Sequence, residues 1–277
     1  MTKLKAVFKI VRPVNIIITI LSVFVAGVIA LNKNFIPIEL FWSAVAEAFA
    51  FSAGNIINDI FDLEIDRINR PDRVLPGKIL KISEAYSLYV VCLIASIIIS
   101  FMVNLYVFLI IIFTNILLYL YSYIIKKIVV ASNLTVALIF ASPFLLGALT
   151  VGNINGGIIP FVFAFLIHFS REIVKDMEDI SGDLSQNYES IPLKFGFANA
   201  VKLVIYITTI LILFTFYPYI TGIYSLTYFL IIFLILIPFL IYVLYKLYKD
   251  RSNRNLKRIS FQLKLNMIIG LIAIYFA

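Results

Sequence analysis

Long apolar runs separated by short polar breaks dominate this 277-residue chain. They fall at 14–31, 38–57, 84–103, 105–122, 131–151, 158–174, 199–217, 225–245 and 260–276. A helix needs about 20 mostly apolar residues to cross a bilayer core, and these runs are near that length. They are continuous rather than alternating, which predicts helices and not the strands of a barrel. Asn32 to Pro37, Gly152 to Gly157 and Pro218 to Gly222 supply breaks rich in turn-forming residues, whereas Asn104 alone divides the third run from the fourth. The pattern predicts an all-α integral membrane protein: one domain over 1–277, built as a nine-helix bundle with polar loops capping one end.

Composition supports a membrane protein. Hydrophobic residues make up 62% of the chain and charged residues 14%, against about 25% charged in soluble domains. The basic, then apolar N-terminus has the outline of a secretory signal. Its apolar part exceeds the usual h-region, so a retained first helix is expected. The single cysteine, Cys92, cannot form an intrachain disulfide.

Charge placement orients the helices. With the N-terminus in the cytoplasm, the cytoplasmic segments are the N-terminal arm and the loops after helices two, four, six and eight. Of the 23 lysines and arginines, only Lys33 then falls on the other side. An asymmetry of this size fixes orientation by the positive-inside rule. It predicts a cell-membrane protein with a cytoplasmic N-terminus, a cytoplasmic active site and an external C-terminus. Trp42 then reads as an interfacial anchor on the outer side.

Two acidic stretches stand out on the cytoplasmic side. Asn55, Asp59, Asp62 and Asp66 step by four, three and four, which stacks them on one helix face. Glu172, Asp176, Asp179 and Asp183 repeat the spacing, each 117 positions after its counterpart (172 against 55). Such carboxylates repel one another unless a cation sits among them. Oxygen-only ligands suit a hard cation, and Mg²⁺ commonly shares carboxylates with phosphate. Two facing Mg²⁺ sites of this kind would clamp a diphosphate. The plainer reading of either stretch alone is a solvated helix end.

Basic residues flank both stretches. Arg67, Arg70, Arg73 and Lys78 follow the first, Lys126 and Lys127 end the fourth helix, and Arg171 and Lys175 flank the second. Guanidinium and ammonium groups complement phosphate oxygens. For Lys3, Lys5 and the 246–258 loop, ordinary positive-inside charge is the better reading. Tyr119, Tyr121 and Tyr123 precede Lys126, and Phe140 and Phe144 flank Pro143. Aromatic faces can stabilise a carbocation, although packing or lipid contact is the better reading of each ring taken singly. His168 reads as a packed polar residue rather than a base.

At NDIFDLEID, Asn58 to Asp66, the sequence resembles the UbiA superfamily of intramembrane prenyltransferases. Asn55, Asn58, Asp59, Asp62 and Asp66 match its first motif, Asp176, Asp179 and Asp183 its second, and Tyr121 with Lys126 its YxxxxK element. The resemblance covers nearly the whole chain and implies the nine-helix fold of that superfamily. It also implies Mg²⁺ held by Asn55 and the six aspartates, with Lys126 acting alongside them. Substrate contacts would come from Arg12, Asn15, Asn55, Asn58, Arg67, Arg73, Tyr121, Lys127, Arg171 and Lys175. Its expected partners are a prenyl diphosphate, a lipid-like acceptor and the bilayer, with no nucleic acid.

REIVKDMEDISGD and the RPVN at Arg12 to Asn15 resemble the archaeal branch of the superfamily. That likeness implies transfer of geranylgeranyl from its diphosphate to the glycerol hydroxyl of geranylgeranylglyceryl phosphate. Prenylation of an aromatic acceptor is the alternative within the superfamily. A cation-coupled transporter with internal repeats is the alternative outside it, but transporters place ion sites near the bilayer midplane on broken helices. After Arg73 the chain departs from the common RPxRP form, with Val74 and Leu75 preceding Pro76.

Overall fold

A computed structural model describes residues 2–31, 36–185 and 189–277, without the side chains of 68, 69, 181–183 and 185. Lys33 and the side chain of Asp183 therefore lie outside the described residues. The elements in order are α1 (Lys3–Ile10), α2 (Pro13–Leu31), α3 (Ile38–Phe61), α4 (Leu63–Asn69), α5 (Ile82–Val103), α6 (Leu105–Tyr123) and α7 (Ala131–Thr150). They continue as α8 (Asn155–Ser185), α9 (Ile191–Phe195), α10 (Phe197–Ile220), α11 (Leu226–Ile231), α12 (Ile237–Lys249) and α13 (Asn253–Tyr275). Among the described residues, 9 helices are long and apolar enough to cross a membrane, one for each expected run. The eighth joins α11 to α12 through a π-turn, Ile232–Leu236, just before Pro238, whose missing N–H breaks the regular ladder.

The chain divides into two compact units: residues 1–126 with 142–154, and residues 127–141 with 155–277. In the first unit α3 is the central helix, packing on α2, α5 and α6. Small residues permit the close approaches. A side-chain carbon at Gly54 would collide with Leu118, and one at Gly147 would lie 2.1 Å from the carbonyl oxygen of Val23. Polar side chains buried within the spans bond locally or to a neighbouring helix, since lipid offers no partners. Thr19 and Ser22 donate back to the carbonyls of Asn15 and Ile18, Asn115 donates to Ser96, and Thr150 donates to Ser43. Glu47, fully buried on α3, has no hydrogen-bond partner at either carboxylate oxygen.

In the second unit α8 packs on α10 and α13, and α12 on α13. Thr208 of α10 donates to Ser170 of α8 at 3.2 Å. The Tyr228 hydroxyl donates to the carbonyl of Thr215 at 2.9 Å. Large apolar side chains such as Phe101, Met102, Leu213 and Leu234 remain exposed on the spans. This is the surface a protein presents to lipid rather than to water.

One of the two acidic stretches departs from the sequence reading. The first acidic stretch is not one continuous helix: at Asp62 the backbone turns to φ −89°, ψ 2°, ending α3 and starting α4. The second stretch lies on one helix, because α8 runs 31 residues without a break.

Candidate active site

Residues that end α3 build the first cluster. α1 stops at Ile10, and the chain passes through Arg12 at φ 58°, a left-handed conformation that side chains rarely adopt. This turn brings the start of α2 against α3. The Asn55 side-chain amide donates to the carbonyl of Val11 at 2.9 Å, and Arg12 donates to Asp59 at 2.6 Å and Asn58 at 3.4 Å. Asn15, one turn further on, is half-buried and its N–H closes the turn onto the carbonyl of Arg12.

The loop after α4 supplies the second cation. Val74, Leu75 and Leu80 are buried in a core shared with Ala6, Ile10, Ile57, Ile60 and Leu63. The departure from the RPxRP form therefore has a physical reason: Val74 and Leu75 are the loop's hydrophobic anchors. They hold Arg73 where it donates to Asp66 at 2.5 Å and to Asp59 at 3.4 Å. Lys126, just past the end of α6, supplies the third cation. Its ammonium donates to Asp62 and sits 5.9 Å from the centre of the Phe61 ring. Phe61 contacts Tyr119 and Tyr123 in turn, at 5.8 Å between ring centres in each case.

Asp59, Asp62 and Asp66 are thus each matched to a cation, with Asp59 and Asp66 buried. Burial pushes the Asp66 carboxyl above the usual carboxylate range. Arg73 opposes the rise, and the negative charges of Asp62 and Asp59 add to it. The three carboxylates therefore feel one another, and further positive charge among them would be stabilising. Among the described residues, no group of three His, Cys, Asp or Glu is close enough to hold a metal ion. The donor set is nevertheless all oxygen, which suits Mg²⁺, and the charged partners now on the carboxylates are themselves phosphate-binding types.

The second cluster lies on α8. Asp176 accepts from the side chain of Asn133 on α7 at 2.8 Å. Asp179 is half-buried a turn further along. Glu172 is buried and bridges two cations, accepting from Arg171 at 3.0 Å and from Lys175 at 2.7 Å. His168 is buried and stacked on Phe140, 4.9 Å between ring centres, as expected of a packed polar residue.

Three candidates remain. Arg67 is half-exposed and chelates Glu64, 2.7 and 2.8 Å to its two oxygens. Lys127 is exposed, and Tyr121 is half-buried on α6. Sequence reasoning passed over Asn133, which holds Asp176. Its only signal was an amide in the first turn of an apolar helix.

Buried or half-buried carboxylates matched to Arg and Lys thus stand near the ends of helices long and apolar enough to cross a membrane, a charge pattern typical of enzymes that act on phosphate-bearing substrates at a membrane. The UbiA prenyltransferase family matches residues 19–268, and the chain belongs to that family of transferases. Digeranylgeranylglyceryl phosphate synthase of Methanococcus vannielii is 34% identical over 276 residues, covering 96% of this chain and 98% of the relative. A solved structure of a digeranylgeranylglyceryl phosphate synthase superposes with a TM-score of 0.81 at 30% identity, covering 99% of this chain and 98% of the other. A UbiA homologue from Archaeoglobus fulgidus, solved with GPP and Mg²⁺, shares the fold with a TM-score of 0.72 at 20% identity, covering 97% and 99%.

Proposed function

We propose that this protein transfers the geranylgeranyl group of geranylgeranyl diphosphate to the glycerol hydroxyl of geranylgeranylglyceryl phosphate. The product, digeranylgeranylglyceryl phosphate, is an ether-lipid precursor. The likeness to digeranylgeranylglyceryl phosphate synthase over nearly the full length of both chains supports the choice of substrates. The observation that carries the chemistry is the set of three carboxylates matched by Arg12, Arg73 and Lys126. A site that holds equal numbers of acidic and basic groups can bind a divalent cation and a diphosphate together. The carboxylates take the metal, and the released Arg and Lys take the phosphate oxygens.

Mg²⁺ would be held by Asn55, Asp59, Asp62 and Asp66 in the first cluster and by Asp176, Asp179 and Asp183 in the second. The matched spacing and the family resemblance support a role for each cluster in handling the diphosphate. When bound, the metal supplies Lewis-acid neutralisation of the leaving diphosphate. Lys126 then turns from Asp62 to an oxygen of the donor. Its side chain is only 9% exposed, so little water competes for the ammonium. Arg73 and Arg12 follow in the same way from Asp66 and Asp59. As the allylic C–O bond breaks, negative charge grows on the departing diphosphate, where these cations stabilise it. Phe61, Tyr119 and Tyr123 present aromatic faces beside Lys126, suited to the positive charge left on the prenyl carbon. The acceptor oxygen bonds to that carbon, and its proton passes to the released diphosphate. The positive-inside asymmetry supports a cytoplasmic N-terminus and site, with the C-terminus external.

The test offers the purified protein geranylgeranyl diphosphate and Mg²⁺ with geranylgeranylglyceryl phosphate, hydroxybenzoate or a naphthoate. Product should form with the glycerol phosphate alone. Product with an aromatic acceptor and none with the glycerol phosphate would overturn the assignment.

A further inference from the structure

The largest cluster of positive charge along the chain lies where α12 turns into α13. Residues 246–258 carry six cations, Lys246, Lys249, Arg251, Arg254, Lys257 and Arg258, against one acid, Asp250. Hydrogen bonds fix this turn. Asp250 accepts from the N–H of Ser252 at 2.9 Å, and Ser252 caps α13 by accepting from the N–H of Asn255 at 3.3 Å. The buried side-chain amide of Asn255 donates to the carbonyls of Lys246 and Asp250, at 3.1 and 2.6 Å. Asn253 donates to the carbonyl of Glu178 at 2.8 Å, which ties the turn to α8 between Asp176 and Asp179.

Helix periodicity sets what the cations face. Arg254, Lys257, Arg258, Phe261, Leu265 and Ile268 follow at helical spacing, form one stripe of α13, and are all exposed. Phe261, Leu265 and Ile268 present apolar surface on a helix long and apolar enough to cross a membrane, so lipid chains cover them. Arg254, Lys257 and Arg258 extend the same stripe beyond the apolar part, to the level of lipid headgroups. The end of α12 has the same arrangement. Tyr242 and Tyr245 are exposed, and the ammonium groups of Lys246 and Lys249 each sit 5.6 Å from the centre of one of these rings. Exposed tyrosines at a helix end suit the membrane–water interface. A cluster of roughly four to eight Lys and Arg beside a spanning helix attracts anionic headgroups. Positive-inside bias accounts for the sign of this charge, but not for its alignment over a lipid-facing stripe or its tie to α8.

We propose that Arg254, Lys257 and Arg258 bind the headgroups of anionic phospholipids of the surrounding bilayer, and that the bond from Asn253 to α8 passes this binding on to the helix end that carries Asp176 and Asp179. The headgroup site stands on the geometry of the turn alone. Its effect on rate rests on the function proposed above. The three side chains supply charge-assisted donors for phosphate oxygens, and a headgroup of net negative charge offsets the excess of cations, which a zwitterionic headgroup does not.

Phosphatidylglycerol is titrated into detergent-solubilised protein and bound lipid is counted by native mass spectrometry, with phosphatidylcholine as the zwitterionic comparison. The proteins are wild type, the triple variant Arg254→Gln/Lys257→Gln/Arg258→Gln, Asn253→Ala, and a control that loses the same charge elsewhere, Lys5→Gln/Lys194→Gln/Lys202→Gln. The triple variant should bind phosphatidylglycerol at least about tenfold more weakly than wild type, and phosphatidylcholine equally well. The control and Asn253→Ala should bind as wild type does. Arg258→Gln alone serves if the triple variant does not fold, with a smaller loss in the same direction. In phosphatidylcholine vesicles, added phosphatidylglycerol should speed diphosphate release by wild type and by the control, but not by the triple variant or Asn253→Ala. Equal phosphatidylglycerol binding by wild type and the triple variant overturns the site, as does an equal loss in the control. Binding that leaves the wild-type rate unchanged overturns the link to α8. An acceptor KM raised by the triple substitution in vesicles of phosphatidylcholine alone shows capture of the acceptor instead of bilayer lipid, and overturns the assignment. Wild type that binds phosphatidylglycerol but alkylates no acceptor overturns the proposed function and the link to α8, and leaves the headgroup site standing.

Discussion

Lys126 and Asp62, 64 positions apart in the sequence, meet as an ion pair in which the lysine is the more deeply buried partner. The pair links the end of α6 to the break between α3 and α4. In the proposed reaction this lysine exchanges the carboxylate for a phosphate oxygen of the donor. Replacing it with methionine removes the charge and keeps most of the volume. Lys126→Met should release diphosphate from the donor about 100-fold more slowly than wild type. Its thermal midpoint should stay close to wild type, because Asp62 is partly exposed and can be solvated.

Arg12 combines a charge paired with Asp59 and a strained backbone. Its φ of 58° costs roughly 1 kcal/mol for a side-chain-bearing residue and nothing for glycine. Arg12→Ala and Arg12→Gly should both weaken donor binding by losing the contact to Asp59. The glycine variant should nevertheless melt higher than the alanine variant. Equal melting points would show that the turn is not strained.

Gly147 and Gly54 separate tolerable crowding from intolerable crowding. A Cβ at Gly54 meets the flexible end of Leu118, whereas one at Gly147 meets the backbone of Val23. Gly147→Ala should destabilise the protein by about 3 kcal/mol or more, since α2 and α7 must move apart. Gly54→Ala should cost less, because Leu118 can change rotamer. Detergent-solubilised thermal melts of the two variants provide the comparison.

Every spanning helix was legible from apolar run length, because lipid demands that each crossing segment satisfy its own backbone. Asn104, the least marked boundary, does divide two helices, and its side chain caps the second by accepting from Val107. The acidic residues were legible because carboxylates at the end of an apolar helix have no packing role. Interactions between distant segments were not legible. Nothing local told that Val74 and Leu75 would anchor the loop behind Arg73, or that Asn133 would hold Asp176. The break at Asp62 was hidden as well, since the four-three-four spacing continues across it.

The central claim is that both carboxylate clusters serve Mg²⁺-dependent ionisation of the prenyl diphosphate. Its most direct test is the rate of diphosphate release from geranylgeranyl diphosphate, with acceptor and Mg²⁺ present, for membrane-reconstituted wild type, Asp62→Ala and Asp179→Ala. Each variant should lose at least about a thousandfold in rate while melting as a folded protein, and EDTA should silence wild type. A near-normal rate in either variant, or a wild-type rate untouched by EDTA, would contradict it.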